Sequence, residues 1–433
     1  MSGSAVYLGM LGFGTVGQAV ARALVRRADD IARRTGHPIR LARIAVRDAA
    51  RPRAGWPEGA RLHTDPVELV EQADVQVVIE VMGGEEPALS AIRRALALGK
   101  PVVTANKLVM ARHGATLLAM AHDHGVPLLF EAAVGGAIPI IRPIRESLAS
   151  DRILGLAGIL NGTTNFILTE MEESGTGFGE ALERARSLGY AEADPQADLS
   201  GWDAAYKLAV LASIAFGGWL LPEAIHVTGL NGIEGRDIQY ARELGLVVKL
   251  LASASSKDGR VEAWVGPALL ARHHPLSQVR SVNNAILLST EAAGELMFYG
   301  PGAGGDPTAA AVLGDVMDVA SKGAGVREPN GGLVPPAGRR MEATDPGSMV
   351  SRFYIRMQVL DRPGVLAAIA AVFGQFAVSI ESVIQKGRGS EPVDLVFVTH
   401  EAPYSAVRKV VSEVSRLPVV VDAGVPMRVV ATP

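Results

Sequence analysis

The sequence predicts an α/β protein built from a Rossmann-type doubly wound parallel sheet, an α+β domain with an open sheet, and a C-terminal βαββαβ unit. Short continuous apolar runs alternate with helical segments from Ala5 to about Phe130, which is typical of a parallel sheet covered on both faces. Strands mixed with helices follow to about residue 305. After a Gly- and Pro-rich stretch the chain reads strand, helix, strand, strand, helix, strand. A chain of 433 residues is long enough for two or three domains.

The first predicted domain, residues 1–136, contains the strand-like runs VYLGML, IRLARIAV, VQVVIEVM, PVVTAN and VPLLFEAA. The run GFGTVG, Gly12 to Gly17, follows the first strand and opens a helix. Glycines at this spacing allow a tight turn and let backbone approach a pyrophosphate at the helix N-terminus. The position of the motif favours dinucleotide binding, and a purely structural glycine turn is the alternative.

The second strand ends in AVRDAARPR, the place at which a dinucleotide site distinguishes NAD from NADP. An acid there usually binds the ribose hydroxyl of NAD, whereas a nearby arginine accommodates the 2′-phosphate of NADP. Arg47 occupies this place and Asp48 follows it, while Arg51 and Arg53 can be solvated loop charges. The sequence leans towards NADP and leaves NAD open.

The second predicted domain, residues 137–305, is a candidate for substrate binding and dimerisation, and a helix over about 306–321 is predicted to complete the first domain. The segment DLSGWDAAYKLAVLAS, Asp198 to Ser213, reads as one helix that is apolar on every side. Such a helix is normally buried, and buried charges are costly unless they are paired or have a task. Asp203 and Lys207 are therefore either an ordinary i,i+4 pair or, as their surroundings favour, functional groups.

Three further motifs lie where ligands commonly bind. PVVTANKLVM places Thr104 and Lys107 just past the carboxyl end of a parallel strand, although a solvent-facing lysine at a helix start explains Lys107 equally well. NGTTNFIL, Asn161 to Leu168, offers backbone donors for a carboxylate or an ordinary helix cap. GYAEADPQADLSGWDAAYK, Gly189 to Lys207, gathers acids before a lysine, which suits recognition of an ammonium group or is a solvated acidic loop.

Composition excludes several classes of function. The absence of cysteine removes disulfides, thiolate nucleophiles and thiolate-bound metal centres, and the net charge of −3 gives no field for nucleic acid or an anionic membrane. The longest uncharged apolar run, Leu208 to Pro222, is shorter than the roughly 20 residues of a membrane span. The N-terminus lacks the basic start of a secretory signal. These features predict a soluble cytoplasmic protein with no nucleic-acid or membrane partner.

The chain resembles the monofunctional homoserine dehydrogenases that carry a C-terminal ACT domain. The resemblance rests on seven motifs in order: GFGTVG, TANK, EAAVGGAIPII, ILNGTTNFIL, GYAEADPQADLSGWDAAYKLAVLA, GPGAGGDPTA and DRPGVL. It implies NAD(P)-dependent interconversion of L-homoserine and L-aspartate 4-semialdehyde, on the route to threonine, isoleucine and methionine. The Gly- and Pro-rich stretch 322–351 is then a linker and residues 352–433 are an ACT regulatory domain.

The resemblance also implies roles for individual residues. Lys207 is similar to a catalytic acid, and Lys107 to a residue that assists near the reacting oxygen and the nicotinamide. The implied substrate-binding residues are Glu192, Asp203, Asp198, Gly162 and Thr163. The implied cofactor-binding residues are Gly12, Phe13, Gly14, Thr15, Val16, Gly17, Arg47, Thr104, Lys107, Gly189 and Gly305. The residues that resemble a monovalent cation site, for Na⁺ or K⁺, are Glu131 and the carbonyls of Val134, Gly136 and Ile138.

Regulation and assembly are implied by the C-terminal unit. ACT domains resemble sensors that pair and bind an amino acid, here with L-threonine as the candidate, near the loop of Asp361, Pro363, Gly364 and Val365. Feedback inhibition and a purely assembling role both stay open. A homo-oligomer, either a dimer or a tetramer, is expected, and a chain trimmed after about Gly347 is expected to stay active without responding to threonine.

Two other functions fit the sequence less well. An aspartate semialdehyde dehydrogenase works through a cysteine thiolate, which this chain cannot supply. A non-catalytic nucleotide sensor with an ACT module would tolerate the loss of both Lys107 and Lys207, whereas each is present in its motif.

Overall fold

The computed structural model of the protein describes residues 4–322, 339–386 and 392–430. The chain divides into two compact units. Unit 1 consists of Met1–Leu156, Tyr206–Pro222 and Asn284–Met341, and unit 2 of Ala157–Ala205, Glu223–Asn283 and Glu342–Pro433. Of the linker predicted over 322–351, residues 323–338 lie outside the described residues.

The N-terminal part of unit 1 alternates strands and helices. Its strands are β1 (Val6–Leu11), β2 (Ile39–Ala45), β3 (Arg61–His63), β4 (Val77–Glu80), β5 (Val102–Thr104) and β6 (Leu128–Leu129). Its helices are α1 (Thr15–Arg26), α2 (Ala28–Thr35), α3 (Pro66–Glu71), α4 (Ala88–Ala97) and α5 (Lys107–Asp123), followed by short helical turns at Glu131–Ala133 and Pro143–Ser147. The strands form a six-stranded sheet in the order β3-β2-β1-β4-β5-β6, and all neighbouring strands in it are parallel. The predicted doubly wound fold is confirmed, and its strand order reverses between β1 and β4, where such sheets bind ligands.

The middle of the chain contributes longer strands and a further group of helices. The strands are β7 (Ile153–Ile159), β8 (His226–Val227), β9 (Leu246–Lys257), β10 (Arg260–Ala271), β11 (Asn283–Thr290) and β12 (Glu295–Pro301). The helices are α6 (Gly162–Ser174), α7 (Phe178–Ser187), α8 (Gln196–Leu199), α9 (Trp202–Phe216), α10 (Gly235–Glu243) and α11 (Gly305–Ser321). Helix α11 supplies Val312 and Val316 to the apolar core of unit 1, where they join Val20 of α1 and Leu8 of β1.

The predicted helix from Asp198 to Ser213 is wrong in one respect, because it is interrupted. Gly201 has φ +86° and separates α8 from α9. A side chain at this position would also come within 3.1 Å of Val227 and 3.3 Å of Val265. Only glycine adopts such a backbone conformation at little cost, so the break is encoded locally.

The C-terminal residues form the predicted βαββαβ pattern, which is confirmed. The strands are β13 (Glu342–Ala343), β14 (Val350–Val359), β15 (Ile380–Lys386), β16 (Val393–Thr399), β17 (Ala402–Pro403), β18 (Val420–Ala423) and β19 (Met427–Val430). The helices are α12 (Val365–Gln375) and α13 (Tyr404–Val414). They pack on the sheet through a core that includes Phe373 and Val407.

Within unit 2 the C-terminal strands share one sheet with the middle of the chain. The strand order there is β9-β10-β19-β14-β16-β15. Strand β19 lies between β10 and β14: Arg428 pairs with Ala268 in parallel, and Val429 pairs with Arg352 in antiparallel orientation. The C-terminal pattern is therefore built into unit 2 by backbone hydrogen bonds.

A buried ionic cluster reinforces this junction between α10 and strands β14 and β16. Arg356 is 1% exposed, and its Nε donates to Asp237 Oδ1 at 2.9 Å while its Nη1 lies 3.6 Å from Asp394 Oδ1. The hydroxyls of Tyr354 and Tyr240 donate to Asp237 and Asp394 at 3.1 and 2.7 Å. Removing one partner from such a cluster leaves a buried charge uncompensated, at a cost of about 3–5 kcal/mol.

No helix among residues 4–322, 339–386 and 392–430 is both long and apolar enough to cross a membrane.

Candidate active site

A cleft of about 700 Å³ opens in unit 1 at the carboxyl ends of β1, β2 and β4. Its lining includes the glycine turn after β1, the loop after β2 and the residues after β4. Among the lining residues are Gly12, Phe13, Gly14, Thr15, Arg47, Arg51 and Arg53. Five of the residues predicted to bind a cofactor are therefore gathered on one cleft.

The glycine turn leaves no room for side chains at two of its positions. Gly12 has φ +101°, and a Cβ there would lie 2.8 Å from the carbonyl oxygen of Val81. A Cβ on Gly17 would lie 2.5 Å from the carbonyl oxygen of Gly12. Gly14 precedes α1 and provides no side-chain cap, and the first turn of α1 contains no acid. The helix therefore presents backbone N–H donors and its positive end to the cleft, as an anionic diphosphate requires.

The loop after β2 turns its arginines rather than its acid towards the cleft. Arg53 donates to the carbonyl oxygens of Arg51 and Asp48 at 2.8 and 2.6 Å, which orders the loop. The carboxylate of Asp48 accepts the N–H of Ala50 at 2.9 Å and does not line the cleft. The acid that would bind an unmodified ribose is thus engaged by its own loop.

The other predicted cofactor residues are not among those that line the cleft. Thr104 ends β5 and is fully buried, and its hydroxyl donates to Glu80 at 2.6 Å. Burial raises the pKa of Glu80, which the hydrogen bond from Thr104 opposes. Lys107 is the first residue of α5 and is half-buried. Val16 lies in α1 and Gly305 begins α11, whereas Gly189 lies in unit 2.

In unit 2, Asn161 brings together two acids that are predicted to bind substrate. The sequence indicated Asn161 only as the start of the NGTTNFIL turn and not as a binding residue. The side-chain amide of Asn161 donates to Asp198 Oδ1 at 2.7 Å and to Asp203 Oδ2 at 2.8 Å. Its oxygen accepts from the backbone N–H of Thr164 at 2.9 Å and caps α6. Both amide hydrogens and the oxygen are used, so Asn161 is a clamp that positions two carboxylates. The sequence feature that could have indicated Asn161 is its position directly before Gly162, which was predicted to bind substrate.

Helix α9 carries both charges of the buried pair. Asp203 is 7% exposed and Lys207 is 8% exposed, so the prediction that these charges are withdrawn from water is confirmed. They stand four residues apart, on one side of the helix. The C-terminal part of α9 belongs to unit 1, where the guanidinium of Arg112, on α5, lies 5.7 Å from the ring centre of Tyr206.

The remaining predicted substrate residues have different environments. A Cβ on Gly162 would lie 2.7 Å from the carbonyl oxygen of Val282. The turn at Gly162 therefore packs closely against the loop that precedes β11. The hydroxyl of Thr163 donates to the carbonyl of Tyr190 at 2.7 Å. Glu192 is exposed and lies on the loop between α7 and α8.

Glu131, predicted at a cation site, has its carboxylate engaged by backbone. Oε1 accepts the N–H groups of Ile140 and Ile141 at 2.6 and 2.9 Å, and Oε2 that of Arg142 at 2.8 Å. The next loop passes through Gly135 and Gly136, both with positive φ, towards Ile138. The oxygen ligands predicted here, which include the carbonyls of Val134, Gly136 and Ile138, are of the kind that hard cations take. Among the described residues there is no group of three or more His, Cys, Asp or Glu side chains that could hold a metal.

The predicted effector loop connects β14 to α12. Asp361 Oδ1 accepts from Gln385 at 3.0 Å, and Gly364 has φ +88° where it precedes α12. Pro363 and Val365 flank this glycine. The backbone conformation of Gly364 explains why a glycine stands there.

A second unpredicted residue, Lys249 on β9, supports the substrate turn. It is 1% exposed, and its Nζ donates to Asn165 Oδ1 at 2.9 Å and to the carbonyl of Val279 at 2.6 Å. Asn165 donates to carbonyls of the same loop, which includes Val282 behind Gly162. A lysine inside the apolar strand LVVKLLASAS was the signal for it.

Lys249 is expected to make stability depend on alkaline pH. Burial lowers its pKa to about 8, whereas an unfolded lysine titrates near 10.4. Between these values the unfolded chain binds more protons, so the contribution of Lys249 to stability rises with pH. The free energy of unfolding of the wild type, relative to Lys249→Met, should increase by about 2 kcal/mol from roughly pH 7.5 to 9.5. Denaturant titrations measure this; parallel curves for the two proteins would contradict it, and the exposed Lys257→Met is the control.

Asn161→Ala is expected to raise KM for L-homoserine, the substrate that the resemblance implies, about tenfold, because the substitution removes both hydrogen bonds that hold the carboxylates. Cofactor affinity should stay unchanged, since Asn161 does not line the unit 1 cleft. Steady-state kinetics and cofactor titration separate the two effects. Ser174→Ala, at the exposed end of the same helix, is the matched control. An unchanged KM would show that the clamp is not needed.

Comparison with known families gives three matches along the chain. A model described as the NAD binding domain of homoserine dehydrogenase matches residues 12–131, and one described as homoserine dehydrogenase matches residues 139–317. A model described as the ACT domain matches residues 353–416.

Individual proteins are similar over nearly the whole chain. The homoserine dehydrogenase of Corynebacterium glutamicum is 43% identical over 426 residues, covering 96% of this chain and 94% of that protein. That of Mycobacterium leprae is 45% identical over 427 residues, covering 96% and 95%. The crystal structure of a homoserine dehydrogenase from Thiobacillus denitrificans superposes with a TM-score of 0.92 at 36% identity and full coverage of both chains. A hyperthermophilic archaeal homoserine dehydrogenase in complex with NADPH gives a TM-score of 0.62 at 29% identity, covering 72% of this chain and 97% of that one.

Proposed function

The chain belongs to the homoserine dehydrogenase family of NAD(P)-dependent oxidoreductases, and on this basis we propose that it interconverts L-homoserine and L-aspartate 4-semialdehyde with Lys207 as the proton donor. The observation that carries the proposal is the pair of buried charges on α9. Asp203 and Lys207 are 7% and 8% exposed, and Asn161 holds the Asp203 carboxylate. Burying charged groups costs free energy, so such groups are commonly found where they bind a ligand or take part in catalysis.

Aldehyde reduction requires a hydride on the carbonyl carbon and a proton on its oxygen. The reduced nicotinamide, when bound, supplies the hydride. The ammonium of Lys207 stabilises the negative charge that develops on the oxygen and gives it a proton. Asp203 stands one helical turn earlier, and its carboxylate is held by Asn161. Lys107 is proposed to assist at the same oxygen, and in the reverse reaction the neutral amine of Lys207 takes the hydroxyl proton.

The substrate is proposed to bind through its two charged groups. Its ammonium group donates to the carboxylates of Glu192 and Asp203, and Asp198 is the supporting acid. Its carboxylate accepts from backbone N–H groups around Gly162 and Thr163, where α6 begins. The hydrogen bonds from Asn161 support this assignment because they fix both carboxylates in place.

NADP is the proposed cofactor, and NAD is the alternative. The arginines that line the unit 1 cleft, Arg47, Arg51 and Arg53, support NADP because they can face a 2′-phosphate. Asp48 does not compete for this place because its carboxylate accepts from Ala50. The backbone of the glycine turn would hold the diphosphate. The proposed cofactor set is Gly12, Phe13, Gly14, Thr15, Val16, Gly17, Arg47, Thr104, Lys107, Gly189 and Gly305.

Incubation of the purified protein with L-homoserine and either oxidised cofactor tests the reaction through the absorbance of the reduced nicotinamide. Arg47→Ala should raise KM for NADP about tenfold or more while changing KM for NAD little. No reduction of either cofactor would overturn the proposed reaction. Equal effects on both cofactors would overturn the preference for NADP alone.

Three finer assignments accompany the proposal. A monovalent cation, Na⁺ or K⁺, would be held by oxygens of Glu131, Val134, Gly136 and Ile138. L-Threonine would bind at the Asp361–Val365 loop and inhibit the enzyme. The active protein is proposed to be a cytoplasmic homo-oligomer, a dimer or a tetramer, which sedimentation would measure.

A further inference from the structure

Arg428 on β19 is a buried cation enclosed by aromatic rings. It is 7% exposed, and its guanidinium carbon lies 4.9 Å from the ring centre of Trp264, 5.4 Å from that of Tyr404 and 5.5 Å from that of Phe353. Guanidinium groups stack favourably on aromatic faces. Stacking occupies the faces of the group and leaves its N–H donors, which point out of the edge, to be satisfied by other partners.

These donors lack a carboxylate partner. Within the described residues, the guanidinium has one hydrogen-bond acceptor, the sulfur of Met349 at 3.8 Å, and no Asp or Glu oxygen lies within 4.0 Å of it. Glu262 acts on Arg428 only as a more distant charge. A thioether is a weak acceptor, and a buried charge without a counter-ion is costly.

Arg356, in the same unit, shows how this protein otherwise treats a buried guanidinium. Three acids neutralise it: Asp237 at 2.9 Å, Glu234 at 3.2 Å and Asp394 at 3.6 Å. Arg428 is almost as deeply buried, and among the residues that the structure describes no acid lies within that range of it. The difference indicates that Arg428 takes its counter-ion from solution.

A small cavity of about 20 Å³ lies against this guanidinium. Its lining includes His226, Thr228, Trp264, Tyr404 and Arg428. This volume admits about one water-sized group, so one carboxylate oxygen can enter while the rest of the molecule stays outside. The hydroxyl of Thr228, 3.4 Å from His226 Nε2, offers another donor. Desolvation and the Arg428 charge lower the pKa of His226, which leaves Arg428 as the cation of the cavity at neutral pH.

We propose that this cavity, the Arg428 site, binds a small carboxylate anion whose head pairs with the Arg428 guanidinium and accepts from Thr228. The site is built by β8 and β10 from the middle of the chain and by α13 and β19 from its C-terminal part. An anion bound there strengthens the junction that holds the C-terminal strands in unit 2.

The Arg428 site is distinct from the loop of Asp361 to Val365. Phe353 stands near the start of β14 and packs on Arg428, whereas Asp361 follows the end of that strand. At about 3.3 Å per strand residue, the two positions are roughly 20 Å apart or more. Binding at one can therefore be separated from binding at the other by substitution.

Thermal unfolding at constant ionic strength tests the proposal, with sodium chloride replaced stepwise by sodium acetate. The wild type should show a saturable rise in Tm of about 2 °C or more. Acetamide, the neutral analogue of acetate, should give none. L-Threonine is titrated in parallel. Whichever of acetate and L-threonine has the lower half-saturation concentration shows whether the site prefers a simple carboxylate or the carboxylate of an amino acid.

Variants assign the effect to the site. Arg428→Met should abolish the rise, and Thr228→Val, which keeps the guanidinium and the fold, should raise the half-saturation concentration about fivefold. The exposed Arg93→Met, in unit 1, and the loop variant Asp361→Asn should respond like the wild type. The proposal would be overturned if the Tm of the wild type showed no saturable rise with acetate, or if acetamide raised it equally. It would also be overturned if the rise in Tm persisted unchanged in Thr228→Val and disappeared in Asp361→Asn. These outcomes concern binding and are independent of whether the chain oxidises homoserine.

Discussion

Lys207→Ala is expected to reduce turnover by about a hundredfold or more, the effect typical of losing a general acid. Lys207 is 8% exposed and stands one turn after Asp203, so bulk water does not supply a positioned proton donor in its place. The loss should appear in both kcat and kcat/KM, because the group acts on charge that develops only in the transition state.

The same variant should keep its cofactor affinity and its fold. Lys207 is absent from the lining of the unit 1 cleft, so titration of the cofactor should give a dissociation constant close to that of the wild type. Lys409→Ala, which removes an exposed lysine on α13, should leave turnover unchanged and serves as the control. Turnover of Lys207→Ala at the wild-type rate would remove this residue from the mechanism.

Ending the chain after Gly347 is expected to abolish activity and give an aggregated protein, which reverses the expectation from sequence that a trimmed chain stays active. The cut removes β14 to β19, so β10 loses the strand that pairs with Ala268 to Leu270. These β10 residues are fully buried in the intact chain. The cut also removes Arg356 and leaves the buried Asp237 without its cation. An exposed apolar strand edge is a template for aggregation.

Size-exclusion chromatography and homoserine oxidation measure the outcome. A chain that ends after Val430, and so retains every strand of the sheet, is the matched control and should behave like the wild type. Arg356→Met tests the buried ionic cluster without removing a strand. It is expected to lower the free energy of unfolding by about 3–5 kcal/mol, because the two buried acids, Asp237 and Asp394, lose their shared partner. A soluble, active protein ending at Gly347 would show that β19 is dispensable.

The sequence predicted the parts of the fold that depend on near neighbours. The parallel sheet of unit 1 follows from apolar runs alternating with helices, and its glycine turn from the spacing of Gly12 and Gly17. The burial of Asp203 and Lys207 followed from the apolar residues on every side of their helix. Each of these depends on periodicity within about twenty residues, which a sequence displays directly.

Contacts between distant segments could not be predicted in this way. No local pattern shows that β19 inserts between β10 and β14, since about 155 residues separate Ala271 from Met427. The role of Asn161 as a clamp depends on Asp203, 42 positions later in the chain. The sequence around Asn161 alone indicates only a helix cap. The break at Gly201 was visible as a glycine, but its packing on β8 and β10 was not.

The place of β19 in the sheet has a consequence for synthesis on the ribosome. At roughly 5–20 residues per second, β10 is made about 8 to 30 seconds before the strand that covers its edge. During this interval Ala268 to Leu270 offer unpaired backbone groups on an apolar strand. Unit 2 therefore completes its sheet late in translation, and nascent chains that stall before β19 are expected to depend on chaperones that shield strand edges.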